Sequence, residues 1–128
     1  MDYLDRRGRN LVRAWLMEEL SEAGRFKLEQ RMKTMAAIER TEWPPWASPL
    51  VGFKGILELK LKHERVQYRP LFCYGPNQRQ LTFLFGAKEI GDAFSPGDAP
   101  HRALTRKSEI ERNREQVERH AFHDDETN

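Results

Sequence analysis

The sequence predicts an α+β domain in the order helix, helix, three-stranded antiparallel meander, helix. Apolar residues recur at helical spacing over the first 40 positions. They alternate with charged residues between positions 55 and 63, and two further strand-like runs follow before position 88. Beyond position 100 the chain returns to helix-forming residues of alternating charge.

Residues 1–8 are polar and are expected to be loosely held. From Asn10, the residues Leu11, Val12, Trp15, Leu16 and Leu20 form one apolar stripe, which predicts a first helix. Gly24 is expected to break it, and a second helix is expected over residues 25–40 with Leu28, Met32, Met35 and Ile38 inward. The short connection makes the pair an antiparallel hairpin. Residues 41–49 hold three prolines, which exclude regular structure there. Trp43 and Trp46 in that segment suit base stacking; the simpler reading is a cap on the core where helix gives way to sheet.

Leu57, Leu59 and Leu61 alternate with Glu58, Lys60 and Lys62, the period of a half-buried strand with a charged outer face. A second strand is expected over residues 66–74, with Pro70 marking an edge or a bulge. Residues 75–78, Gly-Pro-Asn-Gln, form a hairpin turn leading to a third strand over residues 79–87. Residues 91–100 read as loop and residues 101–119 as a helix, a solvated face or one that packs on a partner. A single domain over residues 1–120 is expected, with helices on one sheet face and a disordered tail over residues 121–128.

Composition narrows the function classes. The 128 residues suit one domain. A net charge of +2 gives no global positive field, so any nucleic-acid argument must rest on local clusters. Cys73 is the sole cysteine, which excludes an intrachain disulfide and a Cys-rich zinc site. No run approaches the roughly 18 apolar residues of a membrane span, and the first ten residues lack a signal-peptide core, so a cytoplasmic location is expected.

Several segments taken together resemble the RelE/HigB superfamily of toxins, in particular its phage-derived branch. LVRAWLMEEL has that branch's opening helix pattern at Val12–Leu16, and GILELKLK over residues 55–62 resembles the family's "G-aromatic-x-E-L-R/K" strand. YRPLF over residues 68–72 resembles "Y-R-V-L-Y/F", and FLFGAKE over residues 83–89 resembles the strand that ends in a small residue and a lysine pair. Phe94, Pro96, Ala103 and Arg106 resemble the trailing pattern. The resemblance implies a RelE-like fold with two N-terminal helices, a curved antiparallel sheet of three to four strands and a C-terminal helix. It also implies an endoribonuclease that cuts mRNA on the ribosome and is neutralised by a cognate antitoxin protein.

Metal-free RNA cleavage needs a base for the 2′-hydroxyl proton, an acid for the departing 5′-oxygen and fixed cations at the phosphate. Under the resemblance, Arg69 and Lys88 are assigned to phosphate stabilisation, Lys60 to base or stabiliser, and His63 to acid or base. Lys62, Arg65 and Arg79 are assigned to RNA binding. The assignment requires Lys60, Arg69 and Lys88 to converge on one phosphate without being neutralised by internal acids. No metal, cofactor or membrane partner is implied. Three departures bear on activity. Glu89 stands where the family has a second basic residue, and Glu58 occupies a position that is basic in some members, although the closer branch also carries Glu there. The family's C-terminal catalytic aromatic or histidine has no clear counterpart, since Phe94 cannot transfer a proton and His101 is the nearest titratable group in a different context.

Other motifs weigh less. His120 and His123 form H-x-x-H before acids, but with no third ligand in a defined place. Cys73 between Phe72 and Tyr74 reads as a buried apolar thiol. Residues 52–55, Gly-Phe-Lys-Gly, lack the following helix of a phosphate loop. The alternative function is a non-catalytic phage or mobile-element protein that contacts RNA, the ribosome or another protein.

Overall fold

The computed structural model describes residues 1–38, 46–77 and 80–122. Among the described residues, three helices, α1 (Leu11–Glu19), α2 (Glu22–Ala37) and α3 (Ala99–Arg112), accompany ten short strands. These are β1 (Asp2–Tyr3), β2 (Ala47–Pro49), β3 (Ile56–Leu59), β4 (Leu61–His63), β5 (Val66–Tyr68), β6 (Leu71–Tyr74), β7 (Leu81–Phe85), β8 (Lys88–Ile90), β9 (Ala93–Ser95) and β10 (Val117–Glu118). They form a six-stranded sheet in the order β10-β1-β7-β6-β3-β2 and a four-stranded sheet in the order β4-β5-β8-β9. The larger sheet is mixed, because β1 runs parallel to β7 while the other neighbours are antiparallel.

The expected single antiparallel sheet of three to four strands is therefore wrong, and with it the RelE-like plan. Each of the three long strands read from the sequence is divided at one level. Lys60 separates β3 from β4, Arg69 and Pro70 separate β5 from β6, and Gly86 and Ala87 separate β7 from β8. Bonds across this crease run from Leu59 N to Pro70 O at 3.0 Å, from Lys60 N to Trp46 O at 3.0 Å and from Arg69 N to Ala87 O at 2.8 Å. Pro70 has no N–H for a ladder, and the β6–β7 register shifts between Leu71 and Phe72. Gly86 lets the backbone pass directly beneath the Trp15 ring.

Helix ends follow the local chemistry. Asn10 caps α1 by accepting from Arg13 N at 2.8 Å, and Ser21 caps α2 by accepting from Gly24 N at 3.1 Å. Gly24 consequently lies inside α2 and does not break it, contrary to expectation. Its missing side chain makes room for Leu20 and the His63 ring, each 2.9 Å from where a Cβ would stand.

Helices cover both faces of the sheet, not one. Leu57, Leu59, Leu61, Tyr68, Phe72 and Phe83 pack with Val12, Leu16, Leu28, Met32 and Met35 of α1 and α2. Ile56, Leu71, Cys73 and Leu84 pack with Ala99, Ala103 and Ile110 of α3. Trp46 is half-buried against the first core; Trp43 lies outside the described residues.

The ends of the chain are tied in. β1 is buried between β7 and β10, where loose polar residues were expected. α3 stops at Arg112, and residues expected to continue it form β10 instead. His120 is buried, its Nδ1 2.7 Å from Asp2 Oδ1 and its Nε2 against Glu29 Oε2. Asn10 Nδ2 donates to the second Asp2 oxygen at 2.9 Å and to Glu118 Oε1 at 2.8 Å. His120 is thus committed to two carboxylates, and its partner in the H-x-x-H motif, His123, lies outside the described residues. Phe122, in the segment expected to be a tail, packs its ring edge-on to His120 at 4.7 Å.

Candidate active-site cleft and cationic edge

Strand parity decides which charges meet. Leu57, Leu59 and Leu61 face α1 and α2, so Glu58, Lys60 and Lys62 face the other way. Leu61 stands opposite Tyr68, which brings Arg69 beside Lys60 on the outward face. Gln67 pairs with Glu89, and Glu89 with Phe94, so these three share that face.

The outward face of the crease forms a small cleft lined by Glu58, Arg69, Glu89, Asp92, Ala93 and Phe94. Glu58 Oε1 is 4.0 Å from Arg69 Nε and also 4.0 Å from Lys60 Nζ. Arg69 is 12% exposed and held on three sides: Nη2 donates to Glu89 Oε2 at 2.8 Å and to Gln67 Oε1 at 3.2 Å, and Nη1 donates to Tyr68 O at 2.9 Å. Lys60 is 51% exposed. Burial pushes the Glu58 carboxyl above its ordinary value, and the neighbouring Glu89 adds to this; Arg69 and Lys60 only partly offset it. A half-buried carboxylate of raised affinity for protons, facing two cations in a cleft, is an acid–base arrangement.

Lys88 does not join Lys60 and Arg69. It lies in a strand of its own, directly opposite Tyr68, and so points toward the helices. There its Nζ meets Glu19 Oε2 at 2.5 Å, beside the Tyr68 hydroxyl that donates to Glu19 O at 3.0 Å. His63 shares the parity of Leu61 and also turns to the helix side, 3.3 Å from Ser21 Oγ and 3.5 Å from Glu64 Oε1. His101 lies in the first turn of α3, edge-on to Phe53 at 4.9 Å.

Lys62 and Arg65 are exposed on β4 and on the β4–β5 turn, where Glu64 and Arg65 have φ of 50° and 70°. Arg79 lies outside the described residues. Two cations that sequence reasoning missed, Lys27 and Arg31 of α2, reach the backbone at Lys62 in β4 and at Lys60 just before it. Their i, i+4 spacing was visible in the sequence; the strand they meet was not. Glu58 was visible as a charge on an outer face and, under the resemblance, as a departure from a basic position, but not as a candidate base. Cys73 is buried, and burial pushes its thiol up to about 11, which leaves it unreactive.

Comparison with protein-family models, with curated proteins and with solved structures finds no match. Among the described residues, no helix is long and apolar enough to cross a membrane.

Proposed function

We propose that the chain is a toxin-type mRNA endonuclease, ribosome-dependent and restrained by a cognate antitoxin protein, that cuts by attack of the substrate's own 2′-hydroxyl. The reading rests on one observation: the Glu58 carboxylate, its proton affinity raised by burial, lies 4.0 Å from both Arg69 Nε and Lys60 Nζ. Glu58, in place of Lys60, is then the base that takes the 2′-hydroxyl proton. Three N–H bonds of Arg69 are engaged with Tyr68, Gln67 and Glu89, and the remaining donors meet the phosphate oxygens. Lys60 adds positive charge and is the nearest ammonium to protonate the 5′-oxygen. The 2′-oxygen–phosphorus bond forms, the phosphorus–5′-oxygen bond breaks, and a cyclic phosphate and a free 5′-hydroxyl result.

The charge balance favours a second reading. Glu58, Glu89 and Asp92 face Lys60 and Arg69, and Lys88 is held by Glu19. Among the described residues, acids outnumber cations in the cleft, which suits a protein that holds RNA, the ribosome or a protein partner without cutting.

Primer extension on translated mRNA separates the two. Cleavage by the wild-type chain is expected, with Glu58→Gln and Arg69→Ala slower by roughly 10²–10⁴-fold. The rate is expected to rise with pH through the raised pKa of Glu58, because the base works deprotonated; that limb should vanish in Glu58→Gln. Intact mRNA with the folded wild-type chain would leave the binding reading in place of the nuclease.

A further inference from the structure

β4 is an outermost strand of the four-stranded sheet, so among the described residues one row of its backbone groups has no strand partner. Two side chains of α2 cover that row and its continuation at Lys60, the residue just before β4. Lys27 Nζ donates to Lys62 O at 2.7 Å, and Arg31 Nη1 donates to Lys60 O. The match is geometric: four residues of helix rise about 6 Å, and two residues of strand advance about 6.6 Å. Lys27 and Arg31 on one side, and Lys60 and Lys62 on the other, therefore form two parallel rows of positive charge along one edge. Arg65 at the exposed turn extends them. The acid in that turn, Glu64, lies 3.5 Å from His63 Nε2 on the helix side. At the other end, Lys60 leads to the Glu58–Arg69 cleft.

We infer that the α2–β4 edge is a track for the sugar–phosphate backbone of single-stranded RNA, which guides the strand from the helix layer over the sheet edge into the cleft. The inference rests on the RNA reading given above but not on cutting. The carbonyl contacts fix where Lys27 and Arg31 sit, so little side-chain freedom is lost when a phosphate arrives, and each head group retains further N–H donors for it. One-sided spacing of cations along an edge suits a linear polyanion, whose binding is governed by release of counterions.

Fluorescence anisotropy of a labelled 2′-O-methyl oligoribonucleotide, which lacks the attacking hydroxyl, measures binding without cleavage. The Lys27→Ala/Arg31→Ala double variant is expected to bind roughly tenfold more weakly, with a salt slope smaller by about 0.7 for each phosphate that is no longer neutralised. Should the double variant aggregate through its opened strand edge, Lys62→Gln serves instead, because it leaves the bond from Lys27 to Lys62 O intact. Unchanged affinity and slope in both variants would overturn the track alone. Polyglutamate binding more tightly than the RNA would make the edge a protein-docking surface and also overturn it. Failure of the wild-type chain to bind the oligoribonucleotide would sink the track together with the RNA reading. Weakened binding in the track variants alongside normal cutting by Glu58→Gln would uphold the track and remove only the assigned base.

Discussion

Gly86→Ala is expected to destabilise the protein by about 3 kcal/mol, the upper end for an overfilled interior. The added Cβ would stand 1.9 Å from Trp15 Cδ2 and 2.4 Å from Cγ and Cε2. A rigid indole has no flexible end to move aside. Its retreat is obstructed by Tyr68 and Phe83, whose ring centres lie 6.1 and 6.0 Å away in edge-on contact. Urea unfolding measures the loss. In a Trp15→Leu background the same glycine substitution is expected to cost under about 1 kcal/mol, because the obstructing ring is gone. Equal losses in the two backgrounds would show that the ring does not lie on Gly86. The effect reaches the cleft as well, since the neighbouring Ala87 carbonyl accepts from Arg69 N at the crease.

His120→Ala is expected to cost about 3–5 kcal/mol, the range for removing one partner from a buried charged cluster. His120, Asp2 and Glu29 are all buried, so loss of the imidazole removes the one ring that bonds both carboxylates. Burial by itself lowers the His120 pKa, but the hydrogen bonds to Asp2 and Glu29 outweigh it and raise the value from 6.5 to about 9. A raised pKa means that the folded state holds the proton more tightly than the unfolded chain does. The resulting stabilisation, of order 3 kcal/mol, is fully present below pH 6.5 and is lost as pH rises through about 9. Urea midpoints measured across that window should fall in the wild type, and the fall should be absent in His120→Ala. A flat wild-type profile would mean that His120 is neutral in the fold. The clasp joins β1, α2 and the segment after β10, so its loss should also loosen the pairing of Asp2 with Glu118.

Much of the outline was legible. The stripe from Val12 to Leu20, the apolar positions of α2 and the alternation at Leu57–Leu61 each report one buried side, and periodicity encodes burial directly. The connection between β6 and β7 was legible for a similarly local reason, because proline restricts the backbone and glycine admits conformations that other residues avoid; the β4–β5 and β8–β9 turns were not read. The division of the strands was not, because Lys60, Arg69 and Gly86 become a crease only when three strands bring them to one level. β1 and β10, each two residues long, carry too few positions for any period to register. They exist as strands because β7 and each other supply their hydrogen bonds.

The candidate site divides in the same way. Alternation along a single strand determined that Glu58, Lys60 and Lys62 share a side and that leucines take the other. Tertiary pairing alone decided that Arg69 joins them, that Lys88 and His63 turn to the helices, and that Lys27 and Arg31 lie along the β4 edge. The physical reason is that a sequence specifies which residues avoid water, a property of each segment by itself, whereas the partner of a charge depends on the register between segments. A shift of one residue in that register exchanges the faces of a strand, and no local pattern in this chain sets it.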